Sequence, residues 1–132
     1  MEATGADTTN FEARVHLAMG RPDAAADVVR ALVIEGPDAG YRRRLRAEIL
    51  VLAELWPEAL DASRAFLAGQ QERHGDESPY TAGGHVLVGR ALLGLADVEG
   101  ARASLEAARA RMGPDHSERS RADELGVLLA EG

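Results

Sequence analysis

The chain contains no cysteine. That excludes a disulfide framework, a thiol nucleophile and any zinc or iron–sulfur centre held by thiolates. Lysine is absent too, and all 15 basic residues are arginine. A Walker-type phosphate loop, a Schiff-base enzyme and a lysine general base are therefore ruled out. The chain has no apolar run of the roughly eighteen residues a membrane-spanning helix needs. Its opening, Met1-Glu2-Ala3-Thr4-Gly5-Ala6-Asp7, is acidic where a signal peptide starts basic and turns greasy. These absences predict a cytoplasmic location. An excess of positive charge is also missing: 22 acidic residues against 15 basic ones give a net charge of −7. Phosphate contacts need a basic face, so neither nucleic acid nor a membrane is expected as a partner.

What remains is a chain of 132 residues, 45 % of them hydrophobic, which is enough for one domain with its own core. Heavy use of Ala, Arg, Gly and Leu points to a GC-rich bacterial source. Apolar residues recur at three- and four-residue spacing, as in Val28, Val29, Leu32 and Val33, and again in Leu45, Ile49, Leu50 and Leu52. That period belongs to helices with one buried stripe. Breakers divide the pattern at Gly20-Arg21-Pro22, Gly36-Pro37-Asp38, Trp56-Pro57, Gly75 to Pro79, Ala96-Asp97 and Gly113-Pro114-Asp115. Pro22, Pro57 and Pro79 suit a first helical turn, and Ser78 and Asp97 suit caps. Gly36 and Gly113 suit the left-handed residue that closes a helix.

The spacing predicts an all-α chain of seven helices over about 8–19, 22–35, 38–55, 57–74, 79–95, 98–112 and 117–130, with residues 1–7 a disordered tail and 8–132 the domain. The fifth helix competes with a strand at Val86-Leu87-Val88, but no partner strand is evident. Its glycines Gly83, Gly84, Gly89 and Gly94 follow no strand, so close helix packing explains them better than a phosphate-binding loop.

Residues of matching type recur at two fixed offsets, thirty-four and then forty-two. The offsets link Ala13, Ala47 and Gly89; His16, Leu50 and Leu92; Gly20, Glu54 and Ala96; Ala25, Ala59 and Ala101; and Leu32, Phe66 and Ala108. Small residues in both helices of a pair let the backbones approach closely. Each pair alone leaves an apolar face uncovered, and stacking covers it. The closing helix is expected to bury Leu125, Val127, Leu128 and Leu129.

The third unit, with Val88-Gly89, Leu92, Ala96-Asp97, Ala101, Leu105, Ala108 and Pro114, resembles the tetratricopeptide repeat family. The longer step and the Gly113-Pro114-Asp115-His116 run resemble its kinesin-light-chain type. The resemblance implies a right-handed superhelical stack of antiparallel helix pairs, about three units plus a C-terminal capping helix. In that fold the first helix of each unit lines a concave groove. Carried through the offsets, the groove residues are Asn10, Arg14, Tyr41, Arg44, Glu48, Val51, Val86, Arg90 and Leu93.

Catalytic constellations are not found. The serines lie beside no base, there is no nucleophile elbow, and His74, Asp76, Glu77 and His85 lack the spacing of a metal-binding helix. No enzyme activity, metal or cofactor is expected. The architecture favours a non-enzymatic interaction scaffold that binds a protein or peptide segment in its groove. Arginine forks suit carboxylates, which makes an acidic or C-terminal peptide the expected guest, against arginines that merely pair within the scaffold. The alternative is a regulatory or sensory module of a larger bacterial protein, such as a kinase or transcriptional regulator, with a small ligand or an intramolecular segment in the groove. A homodimer through Leu128 or Leu129 of the end helix is a further expected partner.

Overall fold

Seven α-helices and one short 3-10 turn make up the structure, a computed structural model that describes residues 5–131. The helices are α1 (Gly5–Ala18), α2 (Pro22–Arg30), α3 (Ala39–Leu52), α4 (Trp56–His74), α5 (Ala82–Gly94), α6 (Val98–Ala110) and α7 (Arg119–Glu131). The 3-10 turn, Pro79–Thr81, leads into α5. No strand occurs among the described residues. Helices α1 and α2, α3 and α4, and α5 and α6 form three packed pairs, and α7 packs on α5 and α6.

The turns inside the three pairs are built alike. Gly20, Glu54 and Ala96 all take the left-handed conformation, at φ 71°, 59° and 65°. In each turn the next amide reaches back five residues: Arg21 N–H to the His16 carbonyl at 2.8 Å, Leu55 to Leu50 at 3.1 Å, Asp97 to Leu92 at 2.9 Å. The left-handed residue itself donates three residues back, to Leu17, Val51 and Leu93 at 3.0, 3.0 and 2.9 Å. This is a Schellman motif, which satisfies carbonyls that a helix end otherwise leaves open. It recurs at the same two offsets as the side-chain columns. The repeat read from residue types is therefore a repeat of backbone geometry too.

Packing follows the columns. Ala25, Ala59 and Ala101 are fully buried, as are Ala13 and Ala47, with Gly89 buried in the matching place. A Cβ on Gly89 would stand 2.7 Å from Leu125 Cδ2 and 3.3 Å from Ser104 Cβ, so its absence lets α6 and α7 close on α5. A Cβ on Gly94 would collide with the Trp56 ring. Two apolar clusters result, one over α1 to α4 that also takes Leu87 and Ala91 from α5, the other over α5 to α7. Helix α5 thus belongs to both, and it is buried on nearly every side. That surrounding explains why Val86-Leu87-Val88 is helical despite its β-branched residues: neighbours on all sides override local preference.

Ser78 Oγ accepts from the Tyr80 amide at 3.2 Å and Asp97 Oδ1 from the Gly100 amide at 2.9 Å, the two expected caps. Pro22, Pro57 and Pro79 stand in first turns. Four expectations need correction. Helix α1 begins at Gly5, so residues 5–7 of the expected tail are helical, anchored by buried Ala6; residues 1–4 lie outside the described residues. Helix α2 ends at Arg30 and not at 35, because Arg46 crosses from α3 and donates to the Val29 and Leu32 carbonyls. Gly36 is left-handed at φ 85°, but Gly113 is not: α6 has already ended at Ala110, and Arg111 turns away to the Asp76 carbonyl at 2.7 Å. In α7, Leu125 and Leu129 are buried and Leu128 is half-buried, but Val127 is 59 % exposed on the rim of a groove against α6. The exposed apolar residue of the end helix is thus Val127, not Leu129.

Candidate functional site

Helices α1, α3, α5 and α7 contribute side chains to one shallow pocket of about 200 Å³. Of the expected groove residues, Arg14, Glu48, Val51, Val86 and Arg90 line it, together with Leu52 and Leu87. The offset rule brought these together because residues at equivalent positions on successive first helices fall on one face. Its apolar floor is Val51 and Val86, both buried.

The other expected residues go elsewhere. Asn10 sits beside the pocket and accepts a 2.8 Å hydrogen bond from Arg14 Nε at its Oδ1. Tyr41 opens onto a separate cleft of about 300 Å³ that also meets Phe66, Gln70, Arg73 and His74. Leu93 packs against the second apolar cluster. Arg44 is turned inward, its guanidinium 5.7 Å over the Phe66 ring, with Nε donating to Glu48 Oε1 at 2.6 Å and Nη2 donating to Glu118 Oε1.

Glu118 was not anticipated. It lies just before α7, is 4 % exposed, and is held by Arg44 and by Arg121 Nη1 at 3.3 Å. A buried carboxylate of this chain therefore occupies the inner arginine, where an acidic guest was expected. Burial works against the charge on Arg44, yet hydrogen bonding and charge from Glu118 and Glu48 outweigh it and hold its pKa above the ordinary value. Arg14 is also engaged, with Nη2 3.5 Å from Glu48 Oε2. Two of the three inner arginines thus pair within the scaffold.

Arg90 differs. Half-exposed in the pocket, it has no hydrogen bond or ion pair among the described residues, and Glu124 of α7, across the same pocket, has none either. Arg121 and Glu124 were missed along with Glu118. Their signal was the three-residue spacing of 118, 121 and 124, which puts them on one side of α7, but only the leucine side of that helix was read.

The histidines do not converge on a site. His74 stacks on Tyr80 with ring centroids 4.4 Å apart, and His116 bridges the Pro79 carbonyl, at 3.0 Å from Nε2, and the Glu118 amide, which donates to Nδ1 at 3.0 Å. Among the described residues no three His, Asp or Glu side chains gather as a metal would require, and no helix is long and apolar enough to cross a membrane. Compared with protein-family models, with curated proteins and with solved structures, the chain matches none.

Proposed function

We propose that this protein is a non-enzymatic interaction module of the tetratricopeptide-repeat type, a right-handed stack of helix pairs whose inner face takes an acidic segment of a protein or peptide. The observation that carries this reading is Arg90. Its guanidinium stands unpaired beside an apolar floor, in a pocket to which four helices contribute. A planar fork of donors with no carboxylate of its own is suited to bind one from outside, in two parallel hydrogen bonds. Three Schellman turns at repeat spacing support the repeat class.

The test is fluorescence anisotropy with labelled peptides ending in two or three acidic residues, each made with a free and with an amidated C-terminus. Binding of the acidic set, weakened about tenfold or more in Arg90→Ala, is the expected result, a loss of about 1.4 kcal/mol. Equal affinity of Arg90→Ala and the unaltered protein would remove the pocket from the reading. So would failure of every peptide at about 1 mM. One observation favours the regulatory alternative: Glu118 already satisfies Arg44 as an intramolecular carboxylate. On that reading Glu118→Gln, which leaves Arg44 without its buried carboxylate, binds the acidic peptides more tightly than the unaltered protein, and unchanged binding refutes it.

A further inference from the structure

Helix α7 shares in the positional repeat of the inner face. Leu125 and Leu129 are buried thirty-eight residues after the buried Leu87 and Ala91. In that register Glu124 continues the column of Asn10, Arg44 and Val86, which the offsets of thirty-four and forty-two place at one position on α1, α3 and α5. The fold agrees, since Glu124 lines the same pocket as Val86 and Arg90.

Five charged side chains line that pocket: Arg14, Glu48, Arg90, Arg121 and Glu124. Arg14 is paired with Glu48, and Arg121 with Glu118. What remains is one charge of each sign, Arg90 half-exposed on α5 and Glu124 exposed on α7. They stand too far apart to pair with each other, and neither has another hydrogen bond or ion pair among the described residues. Two opposite charges held apart on packed helices are both satisfied by one guest that carries the complementary charges in the complementary order. Beside them Leu52 is 51 % exposed, above the floor of Val51 and Val86.

Resting on the reading that Arg90 takes a carboxylate, we propose that the bound segment is not uniformly acidic: it also carries a basic residue for Glu124 and an apolar residue for Leu52 and the floor. Packed helices lie about 8–10 Å apart, and an extended chain advances about 3.3 Å per residue. The acidic and basic residues of the segment therefore stand about three positions apart. A second carboxylate in place of the basic residue meets Glu124 and is repelled. Arg90 sets where the segment binds, and Glu124 sets which segments are accepted.

Fluorescence anisotropy of the full chain tests this with three labelled, end-blocked peptides, Gly-Gly-Glu-Leu-Ala followed by Arg, Gln or Glu and then Gly-Gly. The unaltered protein binds the Arg peptide about three- to fivefold more tightly than the Gln peptide, the gain of one exposed ion pair, and binds the Glu peptide least. In Glu124→Gln the Arg and Gln peptides bind alike. In Glu124→Arg the Glu peptide binds best. Glu99→Gln, the same change of charge on an exposed residue outside the pocket, keeps the original order, which separates Glu124 from the net charge of −7. Equal binding of the Arg and Gln peptides, still lost in Arg90→Ala, overturns this proposal and leaves the acidic guest of Arg90 standing. So does an order that Glu124→Arg fails to change. Binding of none of the three at about 1 mM overturns both.

Discussion

Two of the three hairpin turns hold a side chain where the backbone asks for none. Glu54 and Ala96 adopt φ of 59° and 65°, and Gly20, at the same place in the first turn, adopts 71°. For an L-residue the left-handed region costs about 1–2 kcal/mol, because Cβ crowds the following carbonyl. Glycine escapes that cost but has more freedom to lose on folding, about 0.4–1 kcal/mol. Ala96→Gly and Glu54→Gly should therefore each stabilise the fold by about 0.5–1 kcal/mol. Both side chains are exposed and neither makes a hydrogen bond or ion pair among the described residues, so nothing offsets the gain. The sites lie in separate turns, and their effects should add. Gly20→Ala is the mirror test. Nothing stands within 4 Å of a Cβ built there, so its loss, about 0.5–1 kcal/mol, comes from the backbone alone. Urea unfolding with a constant m-value is the assay, and thermal unfolding should rise by about 3–5 °C per kcal/mol. Destabilisation by Ala96→Gly, or a neutral Gly20→Ala, would refute the claim that one strained turn is used three times.

Other positions give sharper local tests. Ser63 Oγ is buried with no hydrogen-bond partner, at the place where the other pairs hold Val29 and Leu105, so Ser63→Ala should stabilise by about 1 kcal/mol in the same urea assay. Arg44→Ala leaves Glu118 buried with only Arg121 beside it and should cost about 3–4 kcal/mol. Replacing the pair together, Arg44→Met with Glu118→Leu, should recover most of that loss, and a double variant as unstable as the single one would show that the pair is not what Arg44 contributes. Burial lowers the pKa of His85 below its ordinary 6.5, and the Arg111 charge adds to this against Asp76 and Glu77. The unfolded chain then binds the proton more readily than the fold does. The neutral ring's contribution is complete above about pH 6.5 and is lost as pH falls through the lower folded value. Stability measured from pH 7 to 5 should fall less steeply in His85→Gln, and an unchanged slope would sink the assignment.

Helix positions were legible because each helix has a stripe, a proline near its start or a breaker at its end. Caps at Ser78 and Asp97 were legible for the same local reason. The end of α2 was not. It depends on Arg46, sixteen residues past Arg30, crossing to take the α2 carbonyls, and spacing along the chain carries no sign of that. The candidate face shows the same division. Arg14, Glu48, Val86 and Arg90 were placed together by a repeat that is itself local arithmetic. That Arg44 would be taken by Glu118, seventy-four residues away, rested on where α7 docks.

Sequence alone determined the helices, the three matched turns and the residues that share a face, since periodicity, small-residue columns and turn chemistry act over a few residues. Tertiary structure decided which charges are already paired and which stand open, leaving Arg90 free while Arg14 and Arg44 are engaged. The reason is one of range. A side chain's helical phase is fixed by its own neighbours, whereas its ionic partner is fixed by how distant helices dock.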